Sequence, residues 1–198
     1  MTSKIKVAFA AFSILTAAGT GAALSADGIT FGDKPSFQSD SKFSYALSQD
    51  KKAFTLAFDG LEVQVDGGKL PQKLAKRVSS PAKNAPVATR VFSTVIPLHG
   101  GKKGVATTLY ASGYVLTTSK AGATLLFSVN GQNTVTSFGP NADKSFVHPL
   151  YFKTSSADEI RMTVFLLAER EGQEPAAYLN VFAIDTDAAQ AKKRVAGK

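Results

Sequence analysis

The chain holds two histidines, His99 and His148, and no cysteine, so nucleophile, base and soft-metal chemistry have few residues to draw on. His99 stands beside glycines and His148 precedes Pro149. Neither lies in a His-Glu-x-x-His helix or near a Gly-x-Ser-x-Gly elbow, and both read as structural or solvated. Asp185 and Asp187 flank Thr186. Two carboxylates at i and i+2 can share Ca²⁺ when further oxygens surround them, but the rest of an EF-hand loop is missing, and Asp187 reads more simply as a cap for the chain's last segment. Asp158, Glu159, Glu169, Glu171 and Glu174 are the acids from which a glycosidase pair would have to be drawn. Such a pair needs a set separation across a cleft, and acids at strand ends are ordinarily just solvated. No catalytic residue and no metal-ligand set is assigned, and no cofactor is expected.

Binding chemistry is better represented. Thr108, Tyr110, Ser112 and Tyr114 share parity, so on an unbulged strand they occupy one face. Tyrosine offers an apolar ring with a polar tip, which suits a flat sugar-binding platform. The competing reading is a covered face with its hydroxyls satisfied locally, and Gly113 is placed where a bulge would split the set. A second candidate is the stretch Lys69 to Lys83, which has five bases, Lys69, Lys73, Lys76, Arg77 and Lys83, and no acid. With Lys102 and Lys103 it suits anionic envelope polymers such as lipopolysaccharide, lipid head groups or wall polymers, against the plainer role of a solubilising loop. The candidate ligand-binding residues are therefore Lys73, Lys76, Arg77, Tyr110 and Tyr114.

The elements that must position these residues are strands. Gly104 to Gly131 contains two β-rich runs around the turn Ser119-Lys120-Ala121-Gly122 and ends on Asn130-Gly131, a hairpin signal. Both runs are rich in Val, Thr, Leu and aromatics, suited to a pleated, half-buried surface. They read as a central pair whose apolar face needs a second sheet. Phe43, Tyr45 and Leu47 alternate, as do Phe54, Leu56 and Phe58, with the polar turn 49–52 between them, predicting a hairpin. Leu61, Val63 and Val65 alternate again after Asp59-Gly60. Val87 to Leu98 is apolar on both parities and reads as a central strand. Pro149 marks Ser145 to Lys153 as an edge strand or a bulge. Glu159 to Glu169 places Ile160, Met162, Val164, Leu166 and Ala168 on one face, though its composition also suits a helix, and Tyr178 to Asp185 is the last strand. About eight or nine strands at this spacing predict an all-β fold, an antiparallel β-sandwich of jelly-roll-like or immunoglobulin-like kind. Phe54, Leu56, Leu109, Val164 and Phe182 are expected in its core.

The chain has 198 residues. Lys4 and Lys6, the apolar run Val7 to Ala18, and the small residues Ala23-Leu24-Ser25 have the three-part plan of a secretory signal peptide. The run is shorter than the roughly 20 residues a spanning helix requires, and no later segment reads as a transmembrane helix. The expected organisation is a signal peptide over 1–25, one β-sandwich domain over 26–187 and a basic flexible tail over 188–198. Absent cysteines and absent Asn-x-Ser/Thr sequons fit a bacterial periplasmic or secreted protein. Removing Lys4 and Lys6 from the 23 bases, against 15 acids, leaves a net charge of +6. Such a balance favours anionic partners, and export makes nucleic acid an unsuitable one.

The motif Asp50-Lys-Lys-Ala-Phe-Thr-Leu-Ala-Phe-Asp59 resembles the early strand of a secreted domain-of-unknown-function family of fungi and actinobacteria. Gly113-Tyr114-Val115, Ala123 to Gly131, and the late strands Glu159 to Ala168 and Tyr178 to Asp187 are similar to it again. The family's usual cysteines are missing from this chain. The resemblance implies a secreted β-sandwich and transfers no catalytic residue. The functional expectation is an exported, non-enzymatic β-sandwich that binds an envelope polymer, a carbohydrate or a partner protein. A polysaccharide hydrolase using paired carboxylates, and a surface-assembly subunit, are the alternatives.

Overall fold

The computed structural model of the chain describes residues 28–39, 41–66, 82–83, 85–101 and 104–196. The expected leader over 1–25 and the basic residues Lys69, Lys73, Lys76, Arg77, Lys102 and Lys103 lie outside them. The strands are β1 (Thr30–Phe31), β2 (Ser36–Gln38), β3 (Lys42–Leu47), β4 (Phe54–Asp59), β5 (Glu62–Asp66), β6 (Ala82–Lys83) and β7 (Val87–His99). There follow β8 (Val105–Thr117), β9 (Ala121–Val129), β10 (Gln132–Phe138), β11 (Asp143–Thr154), β12 (Glu159–Arg170) and β13 (Ala177–Asp185), and, among the described residues, one helix, α1 (Ala188–Ala196).

They form an antiparallel β-sandwich. A six-stranded sheet runs β1-β7-β12-β9-β10, with β2 also on β7. A seven-stranded sheet runs β11-β8-β13-β4-β3, with β5 on β13 and β6 on β5. All pairings are antiparallel except the short β5–β6 pair. There are more strands than the sequence suggested because two- and three-residue pieces such as β2 and β6 are too short to show a period, although the short edge strand read at Ile29 to Phe31 is present as β1.

Period-two patterning decides which side chains go inward. On β12, Ile160, Met162, Val164, Leu166 and Ala168 are all buried, so the helical reading of that composition gives way to a strand lying between β7 and β9. Across the sandwich they meet Phe54 and Leu56 of β4, Leu109 and Val115 of β8, and Val181 and Ile184 of β13 in one core. Aromatic rings fill its wider parts. Phe31 packs edge-on against Phe54 at 4.8 Å, and Phe58 against Phe92 at 4.7 Å. Fully burying one such side chain stabilises the fold by about 1.5–3 kcal/mol. The β3–β4 hairpin forms as its alternation predicts, with Leu47 opposite Phe54. Asn130 and Gly131, at φ of 47° and 82°, make the tight turn that joins β9 to β10. Pro149 lies on β11, at the edge of its sheet, where its missing N–H leaves no ladder bond broken.

Three expectations need correction. The runs on either side of Ser119-Lys120 are not neighbours in one sheet: β8 belongs to the seven-stranded sheet and β9 to the six-stranded one, so the turn crosses between layers and each strand helps cover the other. On β7 only one face is buried. Phe92, Thr94, Ile96 and Leu98 point inward, while Val87 and Val91 are 49% and 46% exposed on the opposite side. Phe182 is outside the core, because the β13 register shifts between Val181 and Ala183, so the buried positions Val181 and Ile184 are three apart rather than two. Residues 188–196 form α1, which packs on β8, β11 and β13 with Ala191 fully buried.

Candidate functional site

The even-numbered positions of β8 face outward, away from the core, because Val105, Leu109, Ala111 and Val115 face in. Pairing of β8 with β11 runs unbroken from Val105 to Leu116. Thr108, Tyr110, Ser112 and Tyr114 therefore do share one face, and the bulge that Gly113 suggested sits on the neighbouring strand instead. Gly113 is needed for another reason. A Cβ there would lie 2.1 Å from the backbone oxygen of Asn180 and 2.5 Å from the Phe146 ring.

The shared face is not one platform. Ser112 is fully buried between the two tyrosines. Tyr110 lies in a row with Pro149 and Asp185, at the α1 end. There the Asp185 carboxylate, wholly buried, accepts from Thr55 Oγ1 at 2.5 Å and pairs with Arg194 at 3.2 Å. Burial raises its pKa, against the lowering effect of Thr55 and Arg194. The engagement with Arg194 removes Asp185 from any calcium site with Asp187. Asp187 directly precedes α1 and its carbonyl accepts from Ala191 N–H, as a capping position should.

Tyr114 lies at the other end, and here the structure gathers a group the sequence did not reveal. Register places Tyr114 beside Asn180 of β13, which is opposite Glu62 of β5; one row on, Leu116 is beside Tyr178, which is opposite Gln64. Tyr178 and Ala176 form a small second apolar cluster with Tyr114 and Leu116 on this outer surface. The two tyrosine rings are 6.4 Å apart and tilted by 51°. Glu62 accepts from the Tyr178 hydroxyl at 2.7 Å and from the Asn180 amide at 3.2 Å. Tyr114 donates to Asp143 at 2.6 Å. Burial first, and then that bond, push the Tyr114 hydroxyl up to about 12.

Within this group the amide of Gln64, on both its oxygen and nitrogen, and the oxygen of Asn180 are buried with no hydrogen-bond partner. Gln64 is 3% exposed and Asn180 8%. A buried unsatisfied polar group costs about 1–3 kcal/mol, and each one calls for an explanation. Their parity was legible: Glu62 and Gln64 alternate with Val63 and Val65, and Tyr178 and Asn180 with Leu179 and Val181. What single-sequence reasoning lacked was the pairing of β5 with β13, more than a hundred residues apart.

The remaining candidates are dispersed. Asp158 and Glu159 lie at one end of β12, and Glu169 and Glu171 at the other, roughly 30 Å away at about 3.3 Å per residue. That distance exceeds any glycosidase separation, about 5–10 Å. Glu171 and Glu174 border a cleft with Lys120 and Pro175. His148 bridges the layers: its Nδ1 is 2.6 Å from Thr136 Oγ1 of β10, and burial lowers its pKa. His99 is exposed at the end of β7. Among the described residues no group of three or more His, Asp or Glu is placed to hold a metal ion, and no helix is long and apolar enough to cross a membrane.

No protein-family model and no curated protein matches the chain. Among solved structures it is similar to TmCBM61 in complex with β-1,4-galactotriose, with 7% identity and a TM-score of 0.29 over 77% of this chain and 88% of that one. It is also similar to the family 11 carbohydrate-binding module from Clostridium thermocellum in complex with a β-1,3-1,4-mixed-linked tetrasaccharide. There the identity is 13% and the TM-score 0.24, over 81% of this chain and 96% of that one. Overlaps this loose carry no argument, and function has to be read from this chain's own surface.

Proposed function

We propose that the protein is an exported, non-enzymatic β-sandwich that binds a carbohydrate polymer of the cell envelope on the outer face of its seven-stranded sheet, at Tyr114, Tyr178, Glu62, Gln64 and Asn180. The observation that carries this reading is the unpartnered buried amide of Gln64, with the unpartnered oxygen of Asn180, beside two tyrosine rings. A sugar presents hydroxyls that both donate and accept, which matches a free amide oxygen and nitrogen, and an apolar ring face that suits tyrosine. Lys73, Lys76 and Arg77 lie in the sequence between β5 and β6, so they add attraction for an anionic polymer, which salt screens over about 8 Å.

The test is binding to a panel of neutral and acidic envelope polysaccharides by wild type and by Gln64→Leu, Tyr114→Ala and Lys73→Gln/Lys76→Gln/Arg77→Gln. Gln64→Leu removes the orphaned groups at similar volume. It is expected to raise stability by up to about 1 kcal/mol while weakening binding at least tenfold. The triple variant is expected to lose only the salt-dependent part. A wild type that binds no polymer in the panel, or a Gln64→Leu protein that binds as tightly as wild type, refutes the site.

A further inference from the structure

The opposite face of the molecule carries a different surface. On the six-stranded sheet the outward positions are odd on β7, β12 and β10 and even on β9. Register joins Val91 to Phe165, Phe165 to Leu126, and Leu126 to Val135, so four apolar side chains from four strands form one transverse row. Val91 and Val135 are 46% and 57% exposed. The row on one side is Thr89, Leu167, Thr124 and Ser137, and the row on the other is Ser93, Thr163, Ser128 and Asn133. These three rows contain no charged residue, on a chain whose formal net charge is +8. Charge returns only at the ends of the face, with Arg161 and Glu169 on β12.

We propose that this face is the meeting surface of two copies of the chain, related by a two-fold axis that lies along the row Val91, Phe165, Leu126, Val135. Three features lead to a second copy rather than another occupant. The first is charge. Phe165 is midway between Arg161 and Glu169, and all three point outward from β12. A two-fold along the transverse row reverses strand direction between the copies, so Arg161 of each meets Glu169 of the other. A two-fold along the strands would instead set Arg161 on Arg161 and Glu169 on Glu169. The guanidinium already bonds Glu159 through Nε and keeps its other donors for a second carboxylate. The second is composition. The axis places the apolar row on itself and sets one hydroxyl-rich row against the other, giving a charge-free centre with polar margins, as interface cores are built. The third is area. Four strands at about 4.8 Å and five outward rows at about 6.7 Å cover roughly 600 Å² per copy, so roughly 1,200 Å² in all, the lower bound for a specific interface. Two twisted sheets pack face to face at about −30°, which a two-fold permits.

The experiment is sedimentation equilibrium of the full exported chain across concentration, with circular dichroism to confirm folding. Wild type is expected to show a reversible monomer–dimer equilibrium. Val91→Lys/Val135→Lys changes two side chains already half in water, so it is expected to stay folded and dissociate the dimer by about 100-fold or more. Arg161→Glu and Glu169→Arg are each expected to weaken it, and the two together in one chain to restore it. A wild type that is monomeric at every concentration overturns the proposal, as does a dimer indifferent to the two lysines. Weakening by both single charge changes without rescue in the double variant overturns the axis. None of these readouts depends on polysaccharide binding, which is assigned to the other sheet.

Discussion

Two titratable side chains, Asp185 buried and His148 half-buried, give the fold opposite responses to pH. His148 is half-buried against Thr136 and its folded pKa is lowered by that burial. The unfolded chain therefore takes up a proton at this position first. Stability from this group is complete above the ordinary histidine value of about 6.5 and is lost as pH falls from there through the folded pKa. His148→Gln keeps a polar partner for Thr136 and is expected to flatten that loss, which urea midpoints between pH 7 and pH 5 will read. Asp185 behaves the other way. Its pKa is raised, so its contribution is greatest below the unfolded value of about 3.9 and declines as pH rises through the folded one. Above that window the buried carboxylate depends on Arg194, and Arg194→Ala is expected to cost about 1–3 kcal/mol at pH 7. A denaturant midpoint unchanged from wild type would mean that the ion pair contributes nothing to stability.

At the scale of the strand, what could be read from the sequence was side-chain parity. Alternation found the β3–β4 hairpin, the inward residues of β12 and the shared face of Tyr110 and Tyr114, because a half-buried strand must alternate. Pairing was not legible, since no local signal links β5 to β13 or moves β9 into the layer opposite β8. The bulge shows the limit well. Gly113 drew attention to the correct place but the wrong strand, because the register shift of β13 and the close approach of the Asn180 carbonyl are consequences of packing. Gly113→Ala is expected to destabilise the protein by about 1–3 kcal/mol, since backbone on one side and the Phe146 ring on the other leave no room for a methyl. The contrast on β13 is just as specific. Ile184→Ala should cost about 2–5 kcal/mol, and Phe182→Ala clearly less, because only Ile184 belongs to the core. Equal losses from the two would place the register shift elsewhere.

For the molecule as a whole, the two sheets have divided roles. The seven-stranded sheet carries tyrosines, buried amides and a docked helix on its outer face, and the six-stranded sheet an apolar and hydroxyl-bearing face with charge only at its ends. Their edges are tied where β10 meets β11, by Gln132 bonding the Lys153 backbone, Thr136 bonding His148, and Phe138 packing on Phe146 at 5.1 Å. Joining copies through the six-stranded sheets would leave both tyrosine surfaces pointing away from the junction. On a repeating polymer, a second contact would then gain from effective concentration rather than new chemistry. The dimer-breaking lysine pair should accordingly lower apparent affinity for immobilised polysaccharide while leaving affinity for a short oligosaccharide unchanged. Equal losses on both would show that the lysines disturb the binding face itself.

The placement of β13 sets a timetable. It is the latest in sequence of the described strands, and it occupies the middle of its sheet, with β8 on one side and β4 and β5 on the other. Until it arrives, β4 and β5 have no neighbour there and β8 has only β11, so half of the sandwich has nothing to assemble on. A chain folding from its N-terminus can therefore form the β3–β4 and β9–β10 hairpins early, but it cannot close its core without the residues up to Asp185. Contacts between residues this far apart in sequence also make folding slow, on the order of milliseconds to seconds. Chains truncated just short of Ala177 should remain sensitive to protease throughout, and those that extend past Ala196 should become resistant in a single step.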